Sequence, residues 1–162
     1  MTYLAKSNKF KISCFSLKLQ DSNNYQLISS ATYENISLIS DNTYNTIIDN
    51  FNINLTISNN IVTLPSGKYY LDARLEIGNG NSNWVSTYRW FEWDGSSKTT
   101  LGHHAGEIGR KPEQSGYDIF GEHAKAYIES DGSKQIGLEC KDVTGSARIY
   151  PEKSRITIWK LE

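Results

Sequence analysis

The chain has 162 residues, a length typical of a single domain that buries its own core. Its 17 Lys and Arg against 18 Asp and Glu give a formal charge of −1, which argues against nucleic acid as the main partner, because binding it needs a surplus of basic residues. No apolar run approaches the ~20 residues of a membrane span, and the first residues lack the apolar stretch of a signal peptide. We therefore expect neither membrane insertion nor export by the general secretion route.

The first third of the chain has an irregular pattern. Alternation of apolar and polar residues predicts a strand from Phe10 to Leu19, with a β-bulge where the parity switches at Cys14-Phe15. Tyr33 to Ile39 is a second candidate strand. Residues 1–8 would then be free as an N-terminal docking arm. The basic and apolar candidates for docking on a larger assembly are Leu4, Lys6, Lys9, Phe10 and Lys11.

The middle of the chain alternates more cleanly. Strands are predicted over Phe51–Ile57 and over Tyr69–Ile77, where apolar and polar side chains alternate along the chain. Residues 84–93 are apolar or aromatic at both parities, which predicts a strand buried on both sides. Asp94-Gly95 begins a tight turn, and residues 98–101 form a short returning strand.

Two long loops are predicted in the last third. The first covers the Gly-rich residues 102–116 and the second covers residues 141–153. Between them, alternation predicts a hairpin of two strands over Ala124–Glu129 and Ile136–Cys140, and a final strand runs from Arg155 to Leu161. Many short strands with turn signals between them, and no amphipathic helix, predict an all-β sandwich or barrel in one domain, 1–162.

Two blocks resemble those of a known fold family. Residues 61–73, Ile-Val-Thr-Leu-Pro-Ser-Gly-Lys-Tyr-Tyr-Leu-Asp-Ala, resemble the "apolar, Pro, x, Gly, x, Tyr" entry into a central strand of C1q/TNF-like jelly rolls. Residues 154–161, Ser-Arg-Ile-Thr-Ile-Trp-Lys-Leu, resemble the terminal strand of that fold. They are more similar still to the "apolar-x-Ile-Trp-Lys-apolar" ending of jelly-roll domains in tailed-bacteriophage virion proteins. The resemblance covers residues 45–162.

This resemblance implies a two-sheet jelly-roll sandwich of the TNF/C1q-like type that assembles as a homotrimer and has no enzymatic activity. It also implies a phage virion structural protein: a capsid decoration (cement) protein that binds the capsid surface and stabilises it. Its partners would be its own copies and the major capsid protein or another virion protein. It would be made in the host cytoplasm and end on the capsid surface. Alternatives are a head- or tail-fibre tip that binds a host receptor or surface glycan, and a bacterial C1q-like or lectin module.

Candidate residues follow for each of these roles. The aromatic residues Trp84, Tyr88 and Trp90 share one parity, which favours packing in the core or a subunit interface over a sugar-stacking platform. The trimer-interface candidates are Tyr69, Tyr127 and Ile156. Long loops clustered at one end of a sandwich are the default place for recognition, so they supply the receptor or glycan candidates. These are Asn79, Asn81, His103, His104 and Glu107.

Neither a metal site nor a catalytic site is predicted. His103, His104, Glu107 and His123 are residue types that bind Zn²⁺ or Ni²⁺, but nothing in the sequence fixes their geometry, and we expect no metal and no cofactor. No nucleophile elbow and no phosphate-binding glycine loop is present, so we expect no enzyme. Cys14 and Cys140 lie on predicted apolar faces and are expected to be buried free thiols.

Overall fold

The computed structural model describes residues 11–15, 25–28, 31–38, 48–49, 53, 55–78, 84–109, 122–142, 147–151 and 153–161. Within these ranges the backbone forms strands and turns, and no helix is long and apolar enough to cross a membrane. The all-β prediction is confirmed. The strands are β1 Lys11–Phe15, β2 Gln26–Ile28, β3 Glu34–Asn35, β4 Ile48–Asp49, β5 Thr56–Ser58, β6 Ile61–Thr63, β7 Gly67–Arg74, β8 Ile77–Gly78, β9 Trp84–Trp93, β10 Lys98–Gly109, β11 Ala124–Ser130, β12 Gln135–Asp142, β13 Ala147–Ile149 and β14 Arg155–Leu161.

The large sheet consists of two halves of five strands. The first half-sheet has the order β4-β1-β14-β7-β11, and the second has the order β10-β9-β12-β6-β5. A single residue pair, His103 with Lys125, joins β10 to β11 and connects the halves. Strand β3 pairs with β12, and a separate small sheet has the order β2-β13-β8. The two half-sheets share one hydrophobic core, as expected for a jelly-roll sandwich.

The core is built from the alternating strands that the sequence predicts. In β7 the side chains of Tyr69, Leu71 and Ala73 are fully buried, while Lys68 and Arg74 are exposed. Because side chains alternate across a strand, one apolar parity is enough to cover the core face. Removing each large apolar side chain from water stabilises the fold by roughly 1.5–3 kcal/mol.

The aromatic residues of β9 join the two half-sheets. Trp90 is fully buried, and its Nε1 donates a hydrogen bond to the backbone oxygen of Ala124, 3.1 Å away. The hydroxyl of buried Tyr88 donates to the backbone oxygen of Glu122 and accepts from the Leu75 N–H at 3.3 Å. The interpretation of Tyr88 and Trp90 as core residues is therefore confirmed.

Two tight turns close the end of the sandwich where β7 begins. Asp94 accepts hydrogen bonds from the backbone N–H groups of Ser96 and Ser97 at 2.8 and 2.7 Å, and from both serine hydroxyls. Asp131 is bonded in the same way by Ser133. The bonds from Ser97, then those from Ser96, hold the pKa of the Asp94 carboxyl well below its usual range. Asp-Gly-Ser turns of this kind fix the strand register on either side.

The structure corrects several details of the sequence analysis. Of the strand predicted over Phe51–Ile57, Ile53 and Leu55 are not in a strand, and β5 begins at Thr56. Residues 102–109 belong to strand β10, and the predicted long loop is wrong over that range. Strand β12 extends to Asp142, and β13 lies within the second predicted loop. Each residue from Lys11 to Phe15 has a partner in β14, so the register carries no bulge at Cys14-Phe15. Cys140 is a buried free thiol, as predicted, and the backbone of Cys14 pairs with Thr157.

Candidate functional site

On the outer face of the first half-sheet, the strand register sets which side chains lie next to one another. Strand β7 pairs with β14 on one side and with β11 on the other. Because residues directly opposite in an antiparallel pair point to the same face, the outward residues form rows across the three strands. The rows are Arg155–Arg74, Thr157–Asp72–Lys125, Trp159–Tyr70–Tyr127 and Leu161–Lys68–Glu129.

The third of these rows is aromatic. Trp159 lies opposite Tyr70, and Tyr70 lies opposite Tyr127. The Tyr127 side chain is 54% exposed, and the other two residues of this aromatic row are half-buried. An exposed cluster of Tyr and Trp on a sheet face is typical of a protein-binding surface, since such side chains combine apolar area with a polar tip.

The end of this face nearest β8 is basic. Arg74 and Arg155 are directly opposite each other, and both are exposed. One row further in, the Asp72 carboxylate lies 2.7 Å from Nδ1 of His123. A cavity opens beside these residues.

The second half-sheet carries a different cluster on its outer face. Glu139 is 1% exposed and accepts hydrogen bonds from Nε of Arg89 and Nζ of Lys98, each at 2.7 Å. The Arg89 guanidinium also stacks on the Tyr33 ring, 3.8 Å from its centroid, and Lys141 approaches the same ring at 4.8 Å. This cluster anchors the segment that contains Tyr33 to the sheet, next to the pairing of β3 with β12.

His104 belongs to that cluster rather than to a recognition loop. Its ring meets Tyr33 edge-on, with 6.5 Å between the ring centroids. Burial, together with the positive charges of Arg89 and Lys141, lowers the pKa of His104. Burial likewise raises the pKa of Tyr33. Both His103 and His104 are exposed, but His104 contacts the Tyr33 ring, whereas His103 lies at the junction of the half-sheets.

The structure changes the set of trimer-interface candidates. Tyr69 is fully buried, and its hydroxyl donates to the backbone oxygen of Pro65 at 2.9 Å. Ile156 is only 1% exposed. Side chains that lie inside one protomer have no surface left to bury against a second, so neither residue can form an interface. Of the three candidates, only Tyr127 lies on an open face.

Other predicted site residues have a more limited description. Glu107 lies in β10, where its backbone pairs with Ser86, so it too belongs to a strand. The backbone of Lys11 pairs with Lys160. The remaining docking and loop candidates lie outside the described residues: Leu4, Lys6, Lys9, Phe10, Asn79 and Asn81. Among the described residues, no group of three or more His, Cys, Asp or Glu is placed to hold a metal ion.

Sequence reasoning missed the partners of Tyr127. Tyr70 and Trp159 occupy the polar parity of their strands, and an aromatic residue at an outward position is a signal visible in the sequence. The sequence does not show that these strands pair, because β11 and β14 lie about 60 and 90 residues after β7 along the chain. The same is true of Arg74 and Arg155.

Solved structures of the TNF type match the chain over nearly its whole length. The structure of Eiger TNF from S. frugiperda superposes with a TM-score of 0.61 at 11% identity, covering 94% of this chain and 93% of that one. The crystal structure of murine APRIL at pH 8.0 superposes with a TM-score of 0.58 at 9% identity, covering 94% and 100%. The fold is a TNF-like jelly roll. No protein-family model and no curated protein matches the chain by sequence.

Within this TNF-like jelly roll the predicted architecture is confirmed. The first half-sheet presents the aromatic row and the basic end, and the second half-sheet is covered in part by the Tyr33 segment. The first half-sheet is therefore the better candidate for contact with another molecule.

Proposed function

We propose that this chain is a non-enzymatic structural protein of a bacteriophage virion, which assembles as a homotrimer and decorates the capsid surface. The observation that carries the trimer is the aromatic row Trp159–Tyr70–Tyr127 on the open face of the first half-sheet. The capsid role comes from the resemblance of residues 154–161 to the closing strand of phage jelly-roll proteins.

The aromatic row supports self-association on physical grounds. Tyr127 and Leu27 are the large hydrophobic side chains that stay exposed among the described residues. Tyr70 lies directly beside Tyr127, and Trp159 lies beside Tyr70 one strand further on. Burying such a group in a subunit contact removes apolar area from water, at about 25 cal/mol per Å². Lys68 and Glu129, opposite each other in the next row, provide a polar rim of both signs.

A trimer explains how such a protein stabilises a larger shell. Each copy makes one weak contact with the capsid, and three linked copies convert the second and third contacts into intramolecular events. The bound trimer then holds several capsid subunits together. No catalytic group is needed for this mechanism, which is mechanical.

The trimer is tested by light scattering after size exclusion over a range of concentrations. Three copies of the 18.3 kDa chain give a mass of about 55 kDa that does not change with dilution. Tyr127→Glu should yield a folded monomer, because it places a charge in the aromatic row that forms the contact. Leu27→Glu, at the other exposed apolar position, is the matched control and should stay trimeric. A monomeric parent chain, or a Tyr127→Glu trimer, overturns this part of the proposal.

The capsid role is tested on purified virions of a phage that carries this gene. Particles from a deletion strain should lose infectivity at lower temperature than parental particles, and added recombinant trimer should restore their heat stability. Absence of the chain from purified particles would overturn the virion assignment. Heat-stable deletion particles that fail to adsorb to cells would instead favour the fibre-tip function.

A further inference from the structure

The basic end of the first half-sheet contains a cavity that the trimer does not explain. Its volume is about 370 Å³, which is within the range of small-molecule sites. Its nearest lining residue on β7, Asp72, lies two residues from Tyr70 of the aromatic row, about 7 Å along an extended strand. Every lining residue is polar or charged: Asp72, Arg74, His123, Lys153, Ser154, Arg155 and Thr157.

Two arginines define the chemistry of this cavity. Arg74 and Arg155 are directly opposite each other, so their Cβ atoms are separated by roughly 4.5–5.5 Å. Like charges in this arrangement destabilise a sheet, and neither guanidinium has an acidic partner among the described residues. A bound anion would remove this repulsion. Guanidinium groups are suited to it because each presents a planar fork of N–H donors to an oxyanion.

The remaining charges leave the cavity with a positive balance. Nζ of Lys153 lies 3.1 Å from a carboxylate oxygen of Glu76, and the Asp72 carboxylate is engaged by His123 at 2.7 Å. Among the lining residues, Arg74, Lys153 and Arg155 are cationic and Asp72 is the one acidic residue, so the charge balance of the cavity is positive.

The segment that carries Lys153 and Arg155 is held in place by Ser154. The Ser154 hydroxyl donates to the backbone oxygen of Tyr150 at 2.8 Å and accepts from the Glu76 N–H at 2.9 Å. These bonds tie the segment before β14 to the residues that follow β7. The cationic groups are thus held on a fixed backbone, which lowers the entropic cost of binding.

We propose that this cavity binds a tetrahedral oxyanion, the phosphate or sulfate group of a small polar ligand such as a phosphorylated or sulfated sugar. Arg74 and Arg155 hold the oxyanion between their guanidinium groups, and Lys153 and His123 form the wall beside it. The volume exceeds that of the bare anion and leaves room for a polar group that carries it. One chain supplies all seven lining residues, so the site does not depend on the trimer.

The test measures binding of inorganic phosphate, inorganic sulfate, glucose 6-phosphate and glucose 6-sulfate to the full-length chain by calorimetry and by NMR of arginine Nε–H groups. Sodium chloride matches the ionic strength, and glucose is the neutral control. Binding should perturb the NMR signals of Arg74 and Arg155. If a sugar ester binds more tightly than the free anion, the ligand of this site is a larger molecule that carries the oxyanion. Equal affinity for the ester and the free anion would assign the site to the free anion, and this still supports an oxyanion site.

Matched substitutions separate the cavity from general surface charge. Arg74→Gln and Arg155→Gln should each weaken binding about ten- to a hundredfold, the loss expected for a charge-assisted hydrogen bond. Arg148→Gln removes the same charge from an arginine that stacks on Tyr25 outside the cavity, and it should bind as the parent does. Unfolding curves of all three variants check that each is folded. No binding by the parent chain, or equal binding by all three variants, would overturn the proposal.

Discussion

The ring of Phe91 occupies the space that a side chain at Gly137 would fill. The two residues are directly opposite each other in β9 and β12, and a Cβ at Gly137 would lie 2.3 Å from Cζ of the ring. Phe91 is fully buried although it points away from the main core, with Lys98 Nζ 4.6 Å from its centroid. Glycine at this position therefore lets an aromatic ring lie flat against the second half-sheet.

We predict that Gly137→Ala lowers the free energy of unfolding by about 1–3 kcal/mol, the usual cost of overpacking a rigid site. The matched control is Gly106→Ala in β10, where an added Cβ meets only the Ser86 backbone oxygen at 3.6 Å, an ordinary contact. Urea unfolding followed by tryptophan fluorescence measures both variants. Equal midpoints for the two would show that Phe91 moves aside without cost.

The junction of the half-sheets depends on a second glycine. Gly102 has a φ of 63°, and a Cβ there would lie 2.0 Å from the Lys125 backbone oxygen. This close approach occurs where β10 shifts register against β9 and His103 pairs with Lys125. We predict that Gly102→Ala destabilises the fold more than Gly137→Ala, Gly106→Ala or Gly95→Ala does, because the added Cβ would push apart the backbones of two strands and not only displace a side chain.

The control for Gly102→Ala is Gly95→Ala, which combines a φ of 98° with open space around the added Cβ. It retains the cost of placing an L residue at positive φ, roughly 1–2 kcal/mol, without the clash. The difference between the two unfolding free energies, measured in urea, isolates the steric part. A difference near zero would mean that the two half-sheets separate easily at this point.

The strand parities explain how far the sequence could predict this fold. Tyr69 shares its parity with Leu71 and Ala73, so the alternation itself places Tyr69 in the core and Tyr70 outside. This alternation is visible in the sequence, and it argues against Tyr69 as an interface residue. Ile156 and Ile158 follow the same rule.

Glycine content was the misleading signal in β10. Gly102, Gly106 and Gly109 predicted a loop, yet all three lie in β10. The positive φ of Gly102 occurs where β10 shifts register against β9 and its neighbour His103 pairs with Lys125 of β11. Nothing in the local sequence distinguishes a loop glycine from one required by a neighbouring strand. The aromatic row and the arginine pair could not be predicted from the sequence either. Their members come together only because β7 pairs with β11 and β14.

The buried carboxylate of Glu139 supplies a third prediction. Arg89→Met removes one of its two cationic partners and the stacking on Tyr33, and Lys98 alone must then balance the charge. We expect a loss of about 2–3 kcal/mol in unfolding free energy, because a buried charge left short of partners is costly. Lys134→Met, which breaks the more exposed pair with Glu92, should leave the urea midpoint unchanged. Equal midpoints for the two variants would contradict a special role for Glu139.

The Tyr69 hydroxyl supplies a prediction about high pH. Burial raises the pKa of Tyr69 to about 12, against about 10 in the unfolded chain. The folded state therefore holds this proton more tightly than the unfolded state does. The contribution of Tyr69 to stability is fully present below about pH 10 and is lost as the pH rises through about 12.

Urea unfolding at a series of pH values from about 9 to about 12 measures this dependence, and tyrosinate absorbance follows ionisation in the folded protein. Tyr69→Phe deletes the bond to Pro65 and should cost about 1 kcal/mol at neutral pH. In Tyr69→Phe the free energy of unfolding should also fall less steeply at high pH than in the parent. Part of the fall remains, because the pKa of Tyr33 is raised as well. An identical slope in the parent and in Tyr69→Phe would mean that the Tyr69 hydroxyl ionises in the folded state as it does in water.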